Sequence, residues 1–174
     1  MGLTPLDGLV MGTRPGSIDP GILPMLLRKG YSLEEVDFAL NRKSGLFALS
    51  GGISDFRTIE ARRGTGDPLA ALAFDKAVTS VVMTVGAYAA LLEGLEALVM
   101  TGGVGEHSAG AREAVMKRLR YLGVEEDPEA NRHGSGDRCV SSASSRVAVW
   151  SLHAREDRTI VRETEDLINA EFSP

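Results

Sequence analysis

The chain of 174 residues has little cysteine, few aromatic residues and no excess of basic charge. Its single cysteine, Cys139, has no partner for an internal disulfide, which fits a reducing, cytoplasmic setting. Its 19 basic and 24 acidic side chains give a net charge of −5, which argues against an unaided nucleic-acid-binding surface. The first residues show no signal-peptide pattern.

The sequence also lacks an uninterrupted apolar run of membrane-spanning length. Its most apolar segment, residues 68–98, is interrupted by four charged residues, Asp75, Lys76, Glu93 and Glu96. We therefore expect a buried or half-buried helix here, with no membrane partner. A chain of this length buries roughly 70% of the surface that its unfolded form exposes, so residues 1–174 are expected to form one domain.

Local signals predict helices separated by short strands. Ser32 and Glu35 form a capping box, and Asp67 followed by Pro68 predicts a longer helix that ends at Gly94. The apolar runs predict strands at residues 95–101 and 146–152, with a short strand around Cys139. This alternation predicts an α/β layered domain.

The last helix is expected over about residues 155–171. Four residues recur on one side of it and are predicted to be buried: Ile160, Thr164, Leu167 and Ile168.

Residues 98–107 read LVMTGGVGEH, an apolar strand that ends on paired glycines. Because glycine has no Cβ, a ligand can approach the backbone closely there. A helix that begins near Ser108 would direct its free N–H groups back toward this loop. The stretch suits a nucleotide contact, but it equally suits a tight strand-to-helix turn with no ligand.

Four longer stretches carry a family resemblance. They are MGLTPLDGLVMGTRPGSIDP (1–20), LSGGISDFRTIE (49–60), GAYAALLEGLEALVMTGGVGEHS (86–108) and YLGVEEDPEANR (121–132). Together they resemble the acetate kinase family, which includes propionate and butyrate kinases. The first stretch closely matches the family pattern MGxTPLEGLxMGTRxGxIDP.

The resemblance implies an RNase H-like domain of the actin-like ATPase superfamily, with a central mixed sheet flanked by helices. It implies transfer of the γ-phosphoryl group of ATP to acetate with Mg²⁺, in a cytoplasmic homodimer whose contacts lie largely in this domain. Family members are much longer, so the chain is expected to be the C-terminal part, without the N-terminal domain and inactive alone. Whether it is an excised fragment or a truncated gene product stays open.

Arg14 lies where the family has a guanidinium that stabilises the transferred phosphoryl group. Charge spreads over the equatorial oxygens during such a transfer, and a planar cation with several donors can bind two of them. Without the family pattern, a solvated loop arginine would be the simpler interpretation.

The nucleotide contacts implied by the resemblance lie in two stretches, Asp55-Phe56-Arg57 and Gly103-Val104-Gly105-Glu106-His107. The first would lie near the adenosine, although ordinary helix caps also explain its sequence. In the second, the family commonly has asparagine in place of His107, so a side-chain role there is less secure.

Glu156 aligns with the family's magnesium-associated glutamate, and carboxylate oxygens suit Mg²⁺. The neighbouring His153, Ala154 and Arg155 depart from the family pattern, and a surface glutamate near a helix start is the alternative. Pro5 aligns with a proline of the acetate pocket. His133 and His153 are assigned no role and are expected to be exposed or loosely packed.

Three alternatives remain at this point. The chain could act only as a dimerisation or interaction domain, or it could belong to a propionate or butyrate kinase. A sugar or glycerol kinase of the same superfamily would not explain the opening stretch.

Overall fold

A computed structural model describes residues 2–171, with the side chains of residues 2–169. The described helices are α1 (Ile22–Arg28), α2 (Leu33–Arg42), α3 (Gly45–Leu49), α4 (Phe56–Gly64), α5 (Pro68–Leu91), α6 (Gly102–His107), α7 (Ala109–Arg118), α8 (Pro128–His133) and α9 (Glu156–Glu171). The strands are β1 (Ala97–Met100), β2 (Arg138–Cys139) and β3 (Ala148–Ser151). The predicted α/β class and the short strand around Cys139 are confirmed.

The three strands form one mixed sheet in the order β1-β3-β2. Strand β1 runs parallel to β3, with Ala97 opposite Ala148 and Met100 opposite Ser151. Strand β2 pairs with β3 in the antiparallel sense. Among the described residues, β1 is therefore paired along one edge only.

Helix α5 supplies the centre of the core. Phe74 and Val78 of this helix are buried with Ile59 of α4, with Met116 of α7 and with Leu119 just after α7. By length and composition α5 is long and apolar enough to span a membrane. Its inner face is instead part of the protein core, as expected for a buried or half-buried helix.

The predicted helix starts are confirmed by their caps. The Ser32 hydroxyl accepts from the Glu35 N–H at 3.2 Å, and a Glu35 carboxylate oxygen accepts from the Ser32 N–H at 2.8 Å. The Asp67 carboxylate accepts from two N–H groups of the first turn of α5. Both caps satisfy donors that a helix start otherwise leaves unpaired.

The prediction that Gly94 ends α5 as its left-handed residue is wrong by one position. Helix α5 ends at Leu91, and the left-handed residue is Glu93, with φ of 57°. The Gly94 N–H then donates to the Ala89 carbonyl at 2.9 Å. This bond closes the helix end as in a Schellman motif, with glutamate in the place that glycine usually takes.

Helix α9 occupies the predicted range, but the expected burial of its apolar side is wrong. Ile160 is 64% exposed and Leu167 is 68% exposed. Every described side chain of the helix is exposed. The periodic pattern correctly predicts an apolar face, but it does not supply a neighbouring surface to cover that face.

Candidate functional site

The loop that carries Arg14 is held by its backbone against the start of α3. The N–H groups of Ser44, Leu46 and Phe47 donate to the carbonyls of residues 13, 11 and 12, at 2.8–3.0 Å. Gly45 has φ of +62°, and a Cβ there would overlap the backbone of Met11 and Arg14. A glycine is required at this contact, and it fixes the position of the Arg14 backbone.

The Arg14 side chain is half-buried and held at one point. Its Nε donates to the Asn41 side-chain oxygen at 3.3 Å, and Asn41 is held in turn by Asp37. The two terminal nitrogens of Arg14 make no hydrogen bond to any described residue. The guanidinium thus keeps the two donors that an oxyanion ligand would use.

The second predicted stretch surrounds the start of α4. The Asp55 carboxylate caps this helix by accepting from the Thr58 N–H at 3.0 Å and from the Thr58 hydroxyl at 2.7 Å. Those hydrogen bonds lower the pKa of Asp55. The Phe56 ring packs 5.6 Å from the Phe74 ring, and Arg57 is exposed. Asp55 therefore has a capping role, whereas Arg57 is free to contact a ligand.

The third stretch was predicted to be a glycine loop between a strand and a helix, and the structure differs. Residues 102–107 form the short helix α6, and α7 begins just after Ser108, as predicted. The Gly102 N–H is already bound to the Glu106 carboxylate at 2.9 Å. The N–H groups of Gly103 and Val104 have no acceptor among the described residues.

The glycines of this stretch lie in different surroundings, which explain glycine at some positions and leave another open. Gly102 has φ of +73°, which favours glycine at the turn out of β1. A Cβ at Gly105 would lie 3.0 Å from the Met100 carbonyl carbon, so this glycine lets α6 pack on the strand. A Cβ at Gly103 would meet nothing within 4 Å, and this position is open to solvent.

Glu106 is held at its place by three groups. Its carboxylate accepts from the N–H groups of Gly102 and Ala154, and one of its oxygens lies 2.5 Å from His153 Nδ1. The hydrogen bond to Glu106 raises the pKa of His153, and the same bond lowers the pKa of Glu106. His153 is exposed as expected, but it joins the end of β3 to α6. This pairing has no signal in the sequence.

The three stretches meet at one cleft. Leu9, Phe56, Val104 and Gly105 line an open cavity of about 430 Å³ whose floor is formed by α5 and β1. The first two stretches also pack closely against each other. The space beside Gly12 is closed by the Ser54 carbonyl oxygen, which would lie only 3.1 Å from a Cβ at Gly12. The cleft wall is mostly apolar and would suit a flat aromatic group.

The other predicted residues do not line this cleft: Arg14, Asp55, Arg57, Gly103, Glu106, His107, Pro5 and Glu156. His107 is exposed and, with Glu106, lines a different cavity that borders the end of α6. Pro5 is exposed in the opening segment. Glu156 is exposed at the start of α9, and the described residues contain no cluster of three histidine, cysteine or acidic side chains that could hold a metal.

Sequence reasoning missed a buried polar pair beside the site. Arg112 of α7 is 2% exposed, and Asn131 of α8 is fully buried. The Nη1 atom of Arg112 donates to the carbonyls of Gly105 and Glu106 and so ties α7 to the end of α6. The signal was available, because Arg112 lies on the same helical face as Val115, Met116 and Leu119.

Comparisons with known proteins agree with one another. A family model described as the acetokinase family matches residues 1–162. The acetate kinase of Moorella thermoacetica is 46% identical over 171 residues, which cover 98% of this chain and 43% of that protein.

Solved structures give the same result. The acetate kinase of Porphyromonas gingivalis superposes with a TM-score of 0.87 at 35% identity, over 97% of this chain and 43% of that one. A propionate kinase of Francisella tularensis superposes with a TM-score of 0.82 at 37% identity, over 90% of this chain and 40% of that one. The chain thus spans less than half the length of the proteins that it matches.

Proposed function

The chain belongs to the acetokinase family, and from that membership we propose that it supplies the nucleotide-contacting part of a kinase for short carboxylates. The proposed reaction moves the γ-phosphoryl group of ATP to a carboxylate oxygen, giving an acyl phosphate and ADP. Both an acetate kinase and a propionate kinase have similar structures, so the proposal covers short-chain acceptors as a class.

One observation carries the proposal: three stretches far apart in sequence border one cleft. Phe56 and Val104 both line it and offer apolar surface, which suits a purine ring. The unpaired N–H groups of Gly103 and Val104 and the exposed Arg57 would contact polar parts of the nucleotide. Asp55 then acts through the start of α4 that it caps.

Arg14 is proposed to stabilise the transferred phosphoryl group. Its backbone is fixed against α3, and its terminal nitrogens are unbonded within residues 2–171. An arginine in such a role contributes a factor of about 10³–10⁵ to the rate.

Magnesium would be held by Glu156 together with nucleotide phosphates and water. A single exposed carboxylate cannot form an all-protein metal site, but it suits Mg²⁺, which commonly takes one or two carboxylates plus substrate phosphates. The ion would supply charge neutralisation at the phosphates. Pro5 is proposed only as part of the acceptor pocket.

Isothermal titration with ADP and Mg²⁺ tests the proposal. We expect saturable binding that Arg57→Ala weakens. The control Arg120→Ala, which replaces an exposed arginine just after α7, should leave the affinity within about twofold. Equal loss in both variants, or no saturable binding by the unaltered chain, would refute the nucleotide site.

Activity is proposed to require polypeptide that corresponds to the rest of the relatives' length. Strand β1 has one free edge within the described residues, and the cleft floor is apolar and open. Phosphoryl transfer depends on positioning, so an incomplete site should be inactive. The test is an acyl-phosphate assay of the chain alone and after mixing with the part of the Moorella thermoacetica protein that has no counterpart here. Turnover by the chain alone would contradict this part of the proposal.

A second candidate function is favoured by α9. This helix presents exposed apolar side chains, among them Ile160, Val161, Leu167 and Ile168. The chain would then serve as a dimerisation domain, in line with the homodimer and cytoplasmic location expected from the sequence. Sedimentation equilibrium of the chain and of Leu167→Glu, combined with an absence of ADP binding, would favour this function over the first.

A further inference from the structure

A second cavity, of about 370 Å³, borders the end of α6 and shares the lining residue Arg112 with the proposed nucleotide cleft. It is enclosed by the end of α6, the start of α7, the segment after α8 and the end of β3. Its lining includes three arginines, Arg112, Arg132 and Arg138, and two histidines, His107 and His153. Glu106 is the one acidic residue among them.

Two of these arginines, Arg112 and Arg138, donate to no carboxylate within the part of the chain that the structure describes. Arg112 donates only to the Asn131 side-chain oxygen and to the carbonyls of residues 105, 106 and 131. Arg138 donates only to the carbonyls of residues 130, 131 and 136. Both guanidinium groups thus share the Asn131 carbonyl while their charges stay uncompensated by direct contact.

The acidic groups nearby do not cancel this charge at the cavity. Glu106 is already bound by two backbone N–H groups and by His153. Glu113 pairs with Arg132, and Asp137 pairs with Arg155. Burial lowers the pKa of Arg112, and the charge of Arg138 lowers it further, whereas the charges of Glu60 and Glu126 oppose this effect.

The segment that closes the cavity adds neutral donors. Ser135 and Gly136 line it, and their backbone N–H groups donate to no acceptor among residues 2–171. The Ser135 hydroxyl likewise makes no hydrogen bond within this part of the chain. Guanidinium groups, free backbone N–H groups and a hydroxyl are the donors that bind phosphoryl oxygens in proteins.

We propose that this cavity is a binding site for a phosphoryl anion, separate from the nucleotide cleft, with Arg138 and the Ser135-Gly136 backbone as its direct contacts. Arg112 mainly contributes charge, because four of its five N–H groups already donate, whereas Arg138 keeps two of its five free within the described residues. The inference goes beyond the proposed kinase function and does not depend on it.

Calorimetric titration of the full chain with inorganic phosphate tests this site, with acetate at matched ionic strength as a second arm. Phosphate is expected to bind saturably below about 10 mM, and Arg138→Gln to weaken it about tenfold or more. The matched control Arg120→Gln removes the same charge outside the cavity and should change the affinity less than about twofold.

Gly134→Ala gives an independent test that keeps every charge. A Cβ at this position would overlap the Cδ and Nε atoms of Arg138, so the guanidinium must move. We expect phosphate binding to weaken about threefold or more while Arg57→Ala leaves it unchanged. If Arg138→Gln fails to fold, the phosphate affinity of Gly134→Ala tests the site in its place.

Four results would overturn the site. They are an absence of saturable phosphate binding, unchanged binding in both cavity variants, acetate binding as tight as phosphate binding, and loss of phosphate binding in Arg57→Ala. The last result would place the anion in the nucleotide cleft.

Discussion

Arg112 and Asn131 are joined by two hydrogen bonds, from Nε to the side-chain oxygen at 2.6 Å and from Nη2 to the backbone carbonyl at 2.7 Å. The Asn131 amide nitrogen extends the link to Ala109 and Glu126. Through Nη1, the same arginine binds the last carbonyls of α6. One buried side chain therefore sets the position of α6 relative to α7 and α8.

Replacing Arg112 with methionine should destabilise the chain by about 3 kcal/mol, because it leaves buried oxygen acceptors without donors. Urea unfolding at constant temperature measures the change. Arg118→Met is the matched control, since Arg118 forms an exposed ion pair with Asp75 and should cost less than about 1 kcal/mol. Equal costs for the two variants would show that burial of the Arg112 network is unimportant.

Glu93→Gly should stabilise the chain by about 1 kcal/mol. Glu93 adopts a left-handed conformation at the end of α5, and glycine adopts it without a steric penalty. Thermal unfolding provides the measurement. Glu96→Gly, at an exposed position outside the left-handed region, should bring no gain, and the same increase there would assign the effect to lost charge.

Gly45→Ala should destabilise the chain by about 2 kcal/mol or more, because its Cβ would overlap the backbone that carries Arg14. Gly64→Ala is the control, because a Cβ there meets nothing within 4 Å. Alanine in place of this helical glycine should raise the free energy of unfolding by about 0.5–1 kcal/mol. Chemical denaturation of both variants measures the two changes in the free energy of unfolding, which should have opposite signs. A neutral Gly45→Ala would mean that the Arg14 loop is not docked on α3.

The His153–Glu106 pair predicts a pH dependence of stability. The raised pKa of His153 means that its contribution is complete below the usual histidine value of 6.5 and is lost as the pH rises through the raised pKa. The lowered pKa of Glu106 means that its contribution is complete above 4.5 and is lost as the pH falls through the lowered pKa.

His153→Gln should therefore lower the melting temperature most near about pH 5.5 and least near about pH 9. His133→Gln is the control, since His133 is exposed and lies 4.0 Å from Glu129, and its effect should be small throughout. A His153→Gln effect that does not change with pH would contradict the pairing.

The sequence predicted helix starts well, because capping is a local effect of a few neighbouring residues. Ser32 and Asp67 begin α2 and α5 as expected. The same Asp-Pro signal begins α8 at Asp127, a helix that we did not predict from the sequence. The end of α5 was misplaced because a glutamate took the position that propensity assigns to glycine.

Helix α6 was not predictable from local propensity, since three of its six residues are glycines and each glycine disfavours a helix by about 1 kcal/mol. Within α6, Glu106 binds the first N–H group and is itself held by the distant His153 and Ala154, and Arg112 of α7 binds the last carbonyls, so side-chain contacts stabilise this helix. The glycine-rich stretch at residues 98–107 was found from its own residues, and the other two candidate stretches were found by resemblance. That they border one cleft depends on packing, which the sequence does not display.

The central claim is that the opening loop, the start of α4 and α6 contact one nucleotide. Amide chemical shifts of the isotope-labelled chain, followed during titration with ADP and Mg²⁺, test it most directly. The account predicts concerted, saturable shifts at residues 12–14, 55–57 and 103–105, with little change in α2 or at residues 134–138. Shifts confined to one of the three stretches, or absent from all of them at saturation, would contradict it.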